Sequence, residues 1–239
     1  RVRSLGQSEG KLADLKRSGA EILACDATDV TLLTKAFGGV QAVYTLIPTD
    51  RQSPDYQARQ KQAGEAIVKA IRESGVSYVV ALSSLGADLS EGTGLIRGLH
   101  EQEGRLRQLK DTNVLLLRPV SFFENFYEYL GLVKHQGMIA DSVAADLAMP
   151  MVATRDIADV AATALKARNW RGIVVRELLG QRDLTYAEAT RILGERVGKP
   201  DLRYVQVSYS DMVEALEQAG LSESFAALYV EMTRAFNEG

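Results

Sequence analysis

The chain has 239 residues, with 28 Lys and Arg against 31 Asp and Glu for a net charge of −3, and it is 46% hydrophobic and 25% charged. These are the proportions of an ordinary folded chain long enough to bury a substantial core. They exclude a disordered polar segment, a coiled coil and a nucleic-acid surface built on net positive charge, and they leave a small molecule as the expected partner.

Short apolar runs alternate with amphipathic stretches along the first half, the pattern of a parallel sheet covered by crossover helices. Residues 2–5 predict a strand and 9–18 a helix stopped by Gly19. A strand over 20–25 follows, then the polar turn Asp26-Ala27-Thr28-Asp29 and a short helix over Thr31–Phe37. Ala42–Ile47 predicts a strand closed by Pro48, and Tyr56–Ser74 a long helix, with Ala63, Ala66, Ile67, Ala70 and Ile71 at helical spacing and Gly75 as its stop. Val76–Leu82 and Val114–Leu117 are almost wholly apolar, as strands buried on both faces are. Between them lies a helix over Leu99–Leu109. Residues 120–152 are rich in aromatics, including Phe122, Phe123, Phe126, Tyr127 and Tyr129. Thr154 caps a helix through Ala167, Gly172–Leu178 is a strand, and helices are expected at Thr185–Val197 and Ser210–Ala219.

The fold class expected is therefore α/β: a doubly wound, Rossmann-like parallel sheet with a smaller C-terminal α/β lobe. The division places 1–121 with 153–178 in a dinucleotide-binding core and 122–152 with 179–239 in a substrate lobe. Cys25 is the only cysteine, which excludes an intrachain disulfide and fits a reducing compartment. One Cys with His100 and His135 makes no zinc-ligand set, so no metal is expected. No apolar run reaches the roughly 20 residues of a membrane span, and a cytoplasmic protein without membrane or direct nucleic-acid partners is expected.

Dinucleotide sheets usually open with a strand, a glycine-rich turn and a helix N-terminus that holds the pyrophosphate. Nothing of that kind precedes Arg1 in the sequence. Its only glycine cluster, Gly92-Thr93-Gly94-Leu95-Ile96-Arg97-Gly98, has the wrong spacing and is read as a loop.

Taken together, VRSLGQSEGKL (2–12), GAEILACDATDVTLLTKAFGGVQAVY (19–44), VVALSSLGA (79–87), LLLRPVSFFENF (115–126) and ATRDIADVAATAL (153–165) resemble the NmrA-like family. These are atypical short-chain dehydrogenase/reductases that include quinone and triphenylmethane-dye reductases as well as NADP-sensing regulators. The resemblance runs through nearly the whole chain. It implies that the first β-α unit, with its glycine turn, lies outside this sequence.

The resemblance also implies NADP as cofactor, with NAD as the alternative, and assigns roles to particular residues. Gln7 and Lys11 match the Arg and Lys that neutralise the 2′-phosphate. Gln7 departs from the pattern because an amide carries no charge. Asp26 matches an acidic residue that meets the adenine, although an Asp also starts turns unaided. Leu46, Ile47 and Pro48 line the ribose and nicotinamide, and Pro119 and Val120 follow the next strand beside them. Phe122 and Phe123 offer flat walls to a quinone-like or aromatic acceptor.

Ser83 and Ser84 end a central strand, where hydroxyls point into a ligand crevice. No tyrosine is followed by a lysine four residues later, so the usual Tyr-Lys acid-base pair of short-chain dehydrogenases is absent. The resemblance places His100 near where relatives carry a His or Lys facing the nicotinamide, which makes it the candidate proton donor against the alternative of a surface histidine, with Glu103 three residues on either orienting it or solvated, and Ser83 as its catalytic companion. The family's lysine at this helix aligns with Leu99. The function expected is NAD(P)H-dependent hydride transfer to a small acceptor. The alternative is a non-catalytic NAD(P) sensor acting through a protein partner or homodimer.

Overall fold

A computed structural model describes residues 1–239, and its first half alternates strand and helix as the apolar periodicity predicts. β1 (Arg3–Gly6) passes through a 3₁₀ turn into α1 (Ala13–Arg17), followed by β2 (Glu21–Ala24), α2 (Val30–Phe37), β3 (Val43–Thr45), α3 (Tyr56–Ser74), β4 (Tyr78–Leu82), α4 (Arg97–Leu106) and β5 (Asn113–Pro119). Local chemistry sets the helix ends. Asp29 and Asp55 accept the N–H groups of Leu32 and Ala58 at the starts of α2 and α3. Gly75, at φ +69°, ends α3 in the left-handed conformation.

The second half is finer grained. β6 (Ser121–Phe122) and a 3₁₀ segment over Phe123–Tyr129 precede α5 (Leu130–Gln136), β7 (Met138–Asp141), β8 (Met149–Val152), α6 (Thr154–Ala167) and β9 (Ile173–Leu178). β10 (Asp183–Leu184), α7 (Tyr186–Arg196), β11 (Arg203–Gln206), α8 (Tyr209–Gln218) and α9 (Glu223–Glu238) complete the chain. The expected helix over 9–18 is divided by the 3₁₀ turn, and the start of α6 differs in how it is satisfied. Thr154 is its first residue rather than its cap, and the Glu124 carboxylate accepts the Thr154 N–H at 3.0 Å.

β3-β4-β5-β9 form one parallel sheet, and alternate residues of β4 and β5 serve opposite faces. Val79, Val114 and Leu116 join Ile67 and Ile71 of α3 and Leu33 and Phe37 of α2 in a cluster of 17 buried residues. Val80, Leu115 and Leu117 turn the other way, onto Ala161 and Ala164 of α6 and onto Trp170. Helices on both faces explain why these strands read as continuous apolar runs. Burying each of these leucines contributes about 1.5–3 kcal/mol.

β1 and β2 form a separate parallel pair, yet Leu5 and Leu23 pack against the same 17-residue cluster. The two sheets therefore share a core without sharing a ladder. The Glu21 and Cys25 N–H groups reach the Val2 and Gly6 carbonyls, so even-numbered backbone groups of β1 face β2. Those of Arg3 and Leu5 face the opposite, unpaired edge. By the same alternation, odd-numbered groups of β4 face β5, as in Asn113 N–H to Ser77 and Ser83 N–H to Leu117. With Tyr44 opposite Val80, the backbone groups of Tyr44 turn away from β4 to the unpaired edge of β3.

In the C-terminal region β8 pairs antiparallel with β10 and parallel with β6, while β7 pairs parallel with β11. Its core joins Phe126, Ile139, Met151, Tyr186, Ala189 and Leu202. Asp141 is 1% exposed and has no cationic partner. Its carboxylate accepts from the hydroxyls of Tyr129 and Tyr229 and from the Val143 N–H. α9, which the sequence reading does not predict, bonds Ser142 through Thr233 at 2.8 Å and Ala144 through Asn237. Its backbone also passes so close to Gly94 that a Cβ there would meet the Leu228 carbonyl and the Met232 nitrogen. The glycine in this loop thus serves a helix contact.

Candidate active site

Parallel register brings three strand ends side by side: Leu46 to Pro48 after β3, Ser83 to Leu85 after β4, and Pro119 with Val120 at the end of β5. Ile47, Pro119 and Val120 are buried, Pro48 and Ser84 are half-buried, and Leu46 and Leu85 are exposed. Phe122 is half-buried and Phe123 is 40% exposed, while Phe126 belongs to the C-terminal core. Of the expected aromatic walls, Phe123 is the one open to a partner.

Ser83 does not stand free in a crevice. It is 6% exposed, and its hydroxyl donates to Glu103 Oε1 at 2.7 Å. Glu103, 3% exposed on α4, also receives both Nε and Nη2 of Arg118 at 2.8 Å each, together with Nη2 of Arg107 at 3.2 Å. Burial pushes the Glu103 carboxyl up, but Arg118, Ser83 and Arg107 outweigh it and hold the group below its usual value. The expectation that Glu103 orients His100 or is solvated is corrected, because its oxygens are committed to Arg118, Ser83 and Arg107.

His100 finds a different partner. Its Nδ1 lies 3.0 Å from the Ala87 carbonyl, and a carbonyl only accepts, so Nδ1 carries the proton. Nε2 has no protein partner. Arg118 reaches this corner a second time through Nη1, which donates to Asp88 Oδ1 at 3.2 Å.

At the end of β1, Lys11 Nζ donates to Gln7 Oε1 at 3.1 Å on an exposed rim, so the structure brings this expected pair together. Asp26 caps its own turn through the Thr28 N–H and binds Arg59 Nη2 at 2.7 Å. The Thr28 N–H, followed by Arg59, holds its carboxyl below the ordinary value. Arg59 also approaches Asp50 at 3.8 Å, tying the loop after β3 to the end of β2. Arg59, Arg118 and Asp88 were not singled out from the sequence, where nothing but charge marks them. A shallow hollow of about 410 Å³, lined by Thr28, Val30, Gln62, Glu65, Ala66 and Lys69, lies between the start of α2 and α3, and none of the expected site residues lines it.

Parallel strands with helices on both faces, and polar side chains gathered at their carboxyl ends, define a Rossmann-like α/β protein. The NmrA-like family profile matches residues 1–238, and the chain belongs to that family. An NAD(P)H azoreductase of Xenophilus azovorans is 25% identical over 232 residues, covering 94% of this chain and 74% of that protein. Among solved structures, an NADPH-dependent quinone oxidoreductase of Escherichia coli in complex with NADPH superposes with a TM-score of 0.81 at 22% identity, over 100% of this chain and 80% of that one. A Citrobacter triphenylmethane reductase in complex with NADP(H) gives 0.80 at 21%, over 100% and 81%. No helix is long and apolar enough to cross a membrane.

Proposed function

We propose that the protein is an NAD(P)H-dependent reductase that passes hydride to a quinone-like or aromatic acceptor. The observation that carries this reading is the strand-end corner itself: exposed apolar Leu46, Leu85 and Phe123 on the loops around it, and an imidazole whose Nε2 has no partner. The division into a dinucleotide-binding part (1–121 with 153–178) and an acceptor lobe (122–152 with 179–239) belongs to the same proposal.

The donor set fits a phosphorylated dinucleotide. Lys11 with Gln7 offers an ammonium and an amide to a phosphate monoester. Asp26, with Oδ1 held by the Thr28 N–H and hydroxyl and Oδ2 by Arg59, would offer the remaining acceptor capacity of Oδ2 to a purine amino group. Pro48, Ser84, Pro119 and Val120 stand at the strand ends and would line the flat ring of the cofactor. When bound, the reduced cofactor supplies a hydride and is left oxidised. This chain's residues do the rest. Phe122 and Phe123 orient the acceptor and exclude water, and His100 in its doubly protonated form gives its Nε2 proton to the acceptor oxygen that hydride addition leaves negative, returning to the neutral Nδ1–H form. The N–H bond breaks as the O–H bond forms.

A second reading has one observation in its favour: the Ser83 hydroxyl is committed to Glu103, so the corner holds a single proton donor. That suits a sensor which binds the dinucleotide and signals to a partner. Calorimetric titration with NADPH and NADH, followed by NADPH oxidation with a benzoquinone, separates the two. Turnover that falls about a hundredfold in His100→Gln supports the reductase. Binding without turnover supports the sensor, and binding of neither nucleotide refutes both.

A further inference from the structure

Arg118 touches both supports of His100. Its Nε and Nη2 form a bidentate pair with Glu103, three residues beyond His100 on α4, so the guanidinium sets where that turn of the helix sits against the end of β5. Its Nη1 binds Asp88, the residue after Ala87, whose carbonyl accepts the imidazole Nδ1–H. The segment before Asp88 is pinned to the same strand by Ser83 N–H to the Leu117 carbonyl and Leu85 N–H to the Pro119 carbonyl. Arg118 is 8% exposed and Glu103 3%, so water does not screen the pair.

We propose that Arg118 is a positioning residue for His100: a single guanidinium grips the helix that carries the imidazole and the loop whose carbonyl receives it. His100 is thereby held as the Nδ1–H tautomer, and Nε2 is the one nitrogen that exchanges a proton. An unrestrained imidazole in water favours the opposite, Nε2–H form, so the tautomer reports the clamp directly. A buried ion pair that merely stabilised the fold would leave it unchanged. The inference rests on the reductase reading for its meaning in turnover, whereas the tautomer is read without turnover.

The test uses the imidazole nitrogen shifts of the whole chain in mildly alkaline solution, where histidine is neutral. His100 and His135 are the only two histidines, and His135 is exposed at the end of α5, so His100→Gln assigns the spectrum and His135 serves as the internal reference. The parent is expected to show His100 as Nδ1–H and His135 as Nε2–H. Asp88→Ala removes an exposed partner and is expected to move the His100 ratio toward Nε2–H by about fivefold, the equivalent of one net hydrogen bond. Arg118→Met with Glu103→Leu removes the whole clamp without leaving a lone buried charge and is expected to move it further.

A parent His100 in the Nε2–H form overturns the proposal, as does an unchanged ratio in Asp88→Ala together with the double variant. If the double variant does not fold, Asp88→Ala alone decides. If the ratio moves as expected while quinone turnover is indifferent to His100→Gln, the positioning stands and the reductase assignment of His100 falls. If turnover needs His100 and the ratio never moves, the reverse holds.

Discussion

Tyr229→Phe is the sharpest test of the buried chemistry at the C-terminal core. It keeps the ring, which stacks on Phe225 at 6.3 Å, and removes only the hydroxyl that donates to Asp141 at 2.5 Å. Burial above all, then Asp141 and Tyr186, pushes the phenol well above its ordinary value, so it stays a neutral donor. The carboxylate keeps Tyr129 and the Val143 N–H, but it is 1% exposed and water does not replace the lost bond. A hydrogen bond to a charged group contributes about 1.5–3 kcal/mol. With a urea slope of about 3 kcal/mol per molar for a chain of this size, the unfolding midpoint is expected to fall by about 0.5–1 M at unchanged slope. Urea unfolding followed by circular dichroism measures it. In an Asp141→Asn background the same substitution is expected to cost less, with a coupling of at least about 0.5 kcal/mol. A midpoint that stays put, or costs that simply add, would refute the claim that these phenols hold a buried charge.

Three further outcomes are expected. Glu103 has a depressed carboxyl, so its contribution is present above the unfolded value near 4.5 and is lost as pH falls through the lower folded value. Glu103→Gln is therefore less stable than the parent at neutral pH and loses less on acidification, which urea midpoints across that window will show. Gly94→Ala combines φ +52° with a Cβ against the α9 backbone, and a loss of about 1–3 kcal/mol by thermal unfolding is expected. Lys11→Ala is expected to weaken NADPH binding about tenfold by calorimetry and leave NADH unchanged, the cost of one charge-assisted contact to the 2′-phosphate. Equal loss for both nucleotides would remove Lys11 from that role.

Local signals in the sequence carried the first half of the fold well. The expected and observed bounds of α3 agree, because a capping Asp, a helical apolar stripe and a stop glycine all act within the segment. β4 and β5 announced themselves as apolar runs because both faces are covered. The strands β7, β8, β10 and β11 are two to four residues long and pair across long separations, so no alternation builds up to reveal them. α9 did carry a readable signal: Ser222 accepts the Phe225 N–H ahead of apolar residues at 225, 226 and 230. At the candidate site, sequence spacing pointed to the wrong pair. His100 and Glu103 share a helix at i,i+3, but a bidentate arginine 15 residues away outcompetes a surface contact, and a backbone carbonyl takes the imidazole. The cap that Glu124 provides to α6 spans 30 residues and has no local signature at all.

The way the β1-β2 pair is joined to the main sheet bears on how this molecule opens. Leu5 and Leu23 bury against the common cluster and Arg3 reaches the Ala36 carbonyl, so side chains couple the pair to the α2-α3 face. With strands of four residues and no buried residue in α1, the β1-α1-β2 unit is expected to open at a lower free energy than the β4-β5 centre. In hydrogen exchange the amides of β2 should trade with solvent well ahead of those of Val79 and Leu116. The order in which protection is lost would trace the seam between the two sheets.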